Sequence, residues 1–149
     1  MKKSILLSLV LVAAAVAAFA QTPAGVPERF SCRFKMVDNV SSKVIAEGVG
    51  YVQGESYKLE TPQMQIWCNG IDRWVYSPVS DELVIQKNDV SFLKDIKVSK
   101  ASGGKAKVAY DTYSIEIEDI SVRTEPWSAT FFIIDPEVFG LDTVITDLR

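Results

Sequence analysis

Tyr51-Val-Gln-Gly-Glu-Ser-Tyr57-Lys-Leu-Glu-Thr-Pro62-Gln-Met-Gln-Ile-Trp67-Cys-Asn-Gly70-Ile-Asp-Arg-Trp74-Val-Tyr76-Ser-Pro78-Val-Ser-Asp-Glu-Leu-Val-Ile85 is a run of short alternating segments cut by Gly54, Pro62, Asn69-Gly70 and Pro78. Alternation over five or six residues is the period of a strand, and Asn-Gly tolerates the positive φ of a tight hairpin turn. The stretch therefore predicts an antiparallel meander. Its aromatics, Tyr57, Trp67, Trp74 and Tyr76, need a core or a cavity to occupy.

Working outward toward the N-terminus, Phe30, Cys32, Phe34 and Met36 alternate with Ser31, Arg33 and Lys35, the pattern of a strand with one buried and one solvated face. Val44 to Val52 follows, with Ala46, Gly48 and Gly50 on one parity. Glycines weaken a strand, so two of them two residues apart need a reason. The choices are a sharp bend, which is the preferred reading, and a bulky neighbour or ligand above them.

Toward the C-terminus, Asn88 to Lys97 has Val90, Leu93 and Ile96 at spacing three, room for one short helix. Tyr113, Ile115 and Ile117 alternate with Ser114, Glu116 and Glu118, and at Asp119 the parity changes, which predicts a bulge. Trp127 to Ile134 alternates and is apolar on both parities in its second half, so it reads as a strand covered on both sides. The tail from Leu141 to Arg149 can add a last short strand. The fold class expected is mainly β: a strongly curved antiparallel sheet or unclosed β-barrel with at most one short helix.

The first twenty residues stand apart. Lys2 and Lys3 precede an apolar run from Ile5 to Ala18, and Ala18-Phe19-Ala20 fits a cleavage site. The expectation is a signal peptide over residues 1–20, cleaved after Ala20, and a single domain over 21–149. No cysteine follows the cleavage site to take a lipid, so the mature protein is expected in the periplasm, not membrane-anchored.

Formal net charge is −3, and no basic stripe is present, which argues against nucleic acid. The absence of histidine removes the commonest general base and metal ligand. No phosphate loop, zinc pattern or calcium loop is present, so neither an enzyme, a metal site nor a cofactor is expected. Cys32 and Cys68 are a candidate disulfide, which export permits. A plain meander would hold them three strand spacings apart, roughly 14 Å, beyond disulfide reach unless the sheet curls back. Two small buried apolar residues are the alternative.

What remains is apolar surface. Phe30, Phe34, Met36, Leu59, Ile66, Trp74, Tyr76 and Phe131 come from several segments. They either fill an ordinary core or line a hydrophobic cavity suited to an acyl chain, where burial supplies the affinity.

With these residues in view the chain resembles the periplasmic LolA-like outer-membrane lipoprotein carriers, in particular the compact members from Bacteroides-type bacteria. The matching residues are Phe34, Gly48-Val-Gly-Tyr-Val-Gln-Gly54, Tyr57-Lys-Leu59, Met64-Gln-Ile-Trp-Cys-Asn-Gly70, Trp74-Val-Tyr76, Asp81-Glu-Leu-Val-Ile85 and Val144-Ile-Thr-Asp-Leu-Arg149. The resemblance implies an unclosed barrel of the lipoprotein-carrier type, whose cavity takes the acyl chains of lipoproteins or another lipid to the outer membrane without catalysis. It departs from the family in three places. Only Gln21 to Arg29 precede the first strand, where the family has an amphipathic helix. The lid is cut to about Asn88 to Asp95, and the arginine that helps hold the lid in the longer carriers falls near Gln53. The alternative function is a non-enzymatic protein-interaction or sensor module of the envelope, with protein partners rather than lipid.

Overall fold

The computed structural model describes residues 29–88, 97–98, 106–110 and 112–149. The expected signal peptide and the expected helical turn after Asn88 lie outside these residues. Ten strands are described: β1 Arg29–Asp38, β2 Lys43–Gln53, β3 Ser56–Thr61, β4 Met64–Cys68, β5 Asp72–Ser77, β6 Glu82–Lys87, β7 Lys97–Val98, β8 Ala106–Tyr110, β9 Tyr113–Val122 and β10 Val144–Asp147. They form one sheet in the order β10-β6-β5-β4-β3-β2-β1-β9-β8-β7. Every pair is antiparallel except β10 with β6, which is parallel.

The turns follow from local chemistry. Gly54 and Gly70 take positive φ between β2 and β3 and between β4 and β5. The Asn69 side-chain oxygen accepts from the N–H groups of Ile71 and Asp72 at 3.0 and 2.8 Å, closing the second turn. At the β3–β4 turn, Thr61 Oγ1 accepts from Met64 N–H at 3.0 Å and donates to its carbonyl at 3.2 Å. The expected bulge at Asp119 is present: its φ is +52°, and the β1–β9 register shifts between Ser31 and Arg33. The shift returns Ile120 to the apolar side, where it packs against the core.

Three expectations change. First, the fold is mainly β, with no α-helix among the described residues, but the sheet is neither closed nor strongly curled. The glycines that suggested sharp curvature serve close packing instead. The Glu60 carbonyl of β3 occupies the space a Cβ of Gly48 would fill, and Leu59 Cδ2 lies 3.1 Å from the Cβ position of Gly50. Second, 127–134 is not a strand. Ser128 caps a 3-10 helix at Ala129–Phe132, and Asp135 caps another at Pro136–Val138, so side-chain oxygens take the N–H groups a ladder would have used. Third, Cys32 and Cys68 are free thiols. They sit on β1 and β4 with β2 and β3 between them, and the open sheet never brings them together.

Candidate functional site

Pairing partners share a face, so the register sorts the side chains. One row runs Cys32, Gly50, Leu59, Ile66, Val75 across β1 to β5. The adjacent row runs Phe30, Val52, Tyr57, Cys68, Arg73, Gln86. With Phe34, Met36, Ala46, Met64, Ile115 and Ile117 the apolar members form one buried cluster spanning β9 and β1 to β5. Alternation puts them on one side because each strand gives that side every second residue.

The opposite face carries a second, smaller cluster, Trp67, Trp74, Leu83 and Ile85, with Tyr76, Ile134 and Phe139 packed against it. Here the C-terminal segment lies over the sheet. Phe131 meets Tyr51 edge-on at 5.3 Å and stacks on Trp127 at 5.6 Å, while Tyr76 contacts Phe139 at 4.5 Å. Lys58 Nζ sits 4.6 Å from the centre of the Phe131 ring and 3.2 Å from Glu60 Oε1.

The eight residues singled out in the sequence therefore divide. Phe30, Phe34, Met36, Leu59 and Ile66 come together on the larger apolar face. Trp74 and Tyr76 belong to the other face, and Phe131 to the segment that covers it. The eight do not line one space, because Trp74 and Tyr76 have the opposite parity to Val75 on β5.

Sequence reasoning missed the polar end of the apolar face. Arg73 is only 5% exposed and stands between Cys68 and Gln86 in its row. With the Gln86 amide turned oxygen-inward, as the donors around it require, that oxygen accepts from Arg73 Nη2 at 2.7 Å and Nε at 3.1 Å. The Tyr57 hydroxyl donates to Asn88 Oδ1 at 3.3 Å, and Gly70 N–H donates to Cys68 Sγ at 3.3 Å. Burial raises the pKa values of Tyr57 and Cys68 and pushes the Cys32 thiol up to about 12, so all three are neutral near pH 7. The signal for Arg73 was available: it shares parity with Val75.

A concavity of about 650 Å³ lies on the opposite side of β1, β2 and β9, lined by Arg33, Lys35, Glu47, Glu60, Glu116 and Glu118 among others. Charges of both signs make it a solvated surface rather than an apolar binding cavity. Among the described residues no cluster of three or more acidic, cysteine or histidine side chains could hold a metal ion.

No protein-family model matches the chain, and no curated protein matches it. A solved structure of an uncharacterized conserved protein from Thermus thermophilus is similar over 93% of this chain and 97% of that one, with a TM-score of 0.50 and 7% identity. At that identity the likeness concerns the fold alone.

Proposed function

We propose that the protein is a non-enzymatic carrier of the bacterial envelope. It holds the acyl chain of a lipoprotein, or another lipid, against the larger apolar face of its sheet for transfer to the outer membrane. The observation that supports this reading most is the continuity of that face: Leu59, Ile66 and Val75 extend, without a charge between them, the apolar side begun by Phe30 and Phe34. An alkyl chain is bound by area, at roughly 25 cal/mol per Å² buried, and needs few polar contacts. On this reading the open sheet plays the part that the unclosed barrel plays in the LolA-like carriers, and the segment ending at Ala20 is the export signal that delivers it to the periplasm.

The test is direct. Organic extracts of the purified protein, analysed by mass spectrometry, should contain a stoichiometric lipid, and a fluorescent fatty acid should bind and be displaced by unlabelled lipid. A clean extract with no fluorescent binding contradicts the proposal.

One observation favours a second reading, a protein-interaction or sensor module. Leu59 and Ile66 are each 1% exposed and Trp74 is 7%, as tightly packed as an ordinary core. A module of this kind would use the sheet edge at β10, where a partner strand can add to the ladder. Binding of a strand-forming peptide by a protein that takes no lipid would favour it.

A further inference from the structure

β10 stands last in the strand order, and its outer edge is open. The N–H groups of Val144 and Leu148 donate to the Asp81 and Ile85 carbonyls beside β6 at 3.0 and 2.7 Å. Successive residues of a strand turn their backbone groups to alternate edges, so Ile145 and Asp147 point theirs away from β6. Among the described residues nothing pairs with that edge. The side chains around it are apolar and solvated: Val144 is 58% exposed, Ile145 46% and Leu148 63%. Val144-Ile145-Thr146 is a β-branched run, which suits pairing. Charges are the usual guard of an edge strand, but the Asp147 carboxylate of β10 is already met by Arg149 Nη2 at 2.7 Å.

The register says what fits there. Thr146 stands opposite Val84, and Val84 opposite Val75, so the row Leu59, Ile66, Val75 of the larger face runs on to Thr146 at the edge. A second copy can pair antiparallel with β10 about a two-fold axis beside Ile145, Thr146 or Asp147. Beside Ile145 the axis sets Leu148 against Asp142 of the second copy, and beside Asp147 it sets the two Asp147 carboxylates against each other, which is unfavourable. Beside Thr146 it sets Val144 against Leu148 of the second copy and Leu148 against Val144 of the second copy, while Ile145 exchanges backbone hydrogen bonds with Asp147 of the second copy. Of the three, this register covers both exposed apolar side chains and opposes no like charges. We propose that the protein is a two-fold dimer joined through β10 about Thr146, its two sheets continuous and their larger apolar faces on one side. Each copy supplies the same patch, so the contact closes at two chains. The dimer stands apart from the carrier reading and gives the edge named in the second reading to a copy of this chain.

The experiment joins sedimentation velocity to cysteine crosslinking of the purified protein. The unaltered protein should sediment as a dimer. Ile145→Pro removes an outward N–H without touching a bond to β6, so it should give a monomer with unchanged far-ultraviolet circular dichroism. Thr146→Cys should form a disulfide across the axis on mild oxidation, because opposed residues of a non-hydrogen-bonded pair lie about 4.5 Å apart, within disulfide reach. Ile145→Cys faces Asp147 of the second copy and should crosslink roughly tenfold more slowly. Cys32 and Cys68 are buried and stay out of the reaction. A monomer at the highest concentration reached overturns the proposal, and if that monomer binds a strand-forming peptide the edge belongs to the protein-interaction reading instead. A dimer that survives Ile145→Pro, or that crosslinks through Ile145→Cys as fast as through Thr146→Cys, overturns it as well. If Ile145→Pro does not fold, the ratio of the two crosslinking rates decides alone.

Discussion

The side-chain amide of Gln53 holds the backbone of Trp127 through both of its polar atoms. Trp127 N–H donates to Gln53 Oε1 at 2.8 Å, and Gln53 Nε2 donates to the Trp127 carbonyl at 3.2 Å. A side chain at the end of β2 thus imitates one step of a strand partner. It fixes the segment that carries Trp127, Phe131 and Phe132 against Tyr51. Gln53→Ala removes both bonds and should cost about 1–3 kcal/mol, since each hydrogen bond contributes about 1 kcal/mol net and the groups left are part-buried. Urea unfolding should show the loss, and tryptophan emission should shift to the red as Trp127 is released. Gln53→Glu keeps only the acceptor and should fall between the two.

The two glycines of β2 should separate in the same assay. Gly48→Ala drives a methyl group into the Glu60 carbonyl, which is backbone and cannot move aside cheaply, so a loss of about 3 kcal/mol is expected. Gly50→Ala meets the Cδ2 end of Leu59 at 3.1 Å, which can rotate, and should cost less than about 1 kcal/mol. Equal costs would contradict the close approach of β3 at Gly48.

The meander was legible because its devices are local. Asn69-Gly70 and Gly54 announce their turns, and the parity of Phe30 to Met36 announces its buried face. The bulge at Asp119 was legible for the same reason: a parity change can be read without knowing the partner strand. The Trp127 to Ile134 segment was not, because its apolar pattern fits a buried strand equally well. What decides it is Ser128 and Asp135 capping short 3-10 turns and Gln53 supplying the hydrogen bonds from 74 residues away. The candidate cavity was half legible. Choosing large apolar residues found Phe30, Phe34, Met36, Leu59 and Ile66, but it passed over parity on β5, which sends Trp74 and Tyr76 to the other face and Arg73 to this one.

The thiols should be inert in the folded protein. Burial holds Cys32 at about 12 and raises Cys68, so neither should react with a disulfide reagent at pH 8, whereas both should react once urea unfolds the chain. The raised value of Cys32 has a consequence for stability. Its contribution is fully present below the unfolded value of 9.0 and is lost as pH rises toward about 12. The unfolding midpoint in urea should therefore fall through that alkaline window, and less so in Cys32→Ala.

Acid should act on β10. Asp147 is held down to about 2 from 3.8, chiefly by hydrogen bonds from the Arg149 side chain and backbone. A depressed carboxyl contributes stability that is present above 3.8 and lost as pH falls through about 2. Carboxyl carbon shifts followed by NMR should place its midpoint near the lower value. Arg149→Ala should return it toward 3.8 and loosen the end of β10, where Leu148 N–H donates to the Ile85 carbonyl at 2.7 Å.

If the protein is a lipid carrier, an acyl chain lies on the face formed by Leu59, Ile66 and Val75. The most direct measurement is photo-crosslinking with a fatty acid that carries a diazirine on its chain, followed by peptide mass spectrometry. Adducts are expected on the β3 to β5 peptides that hold those three residues, suppressed by excess unlabelled fatty acid. Adducts confined to the Trp127 to Phe139 segment, or none above an unrelated control protein, would contradict it.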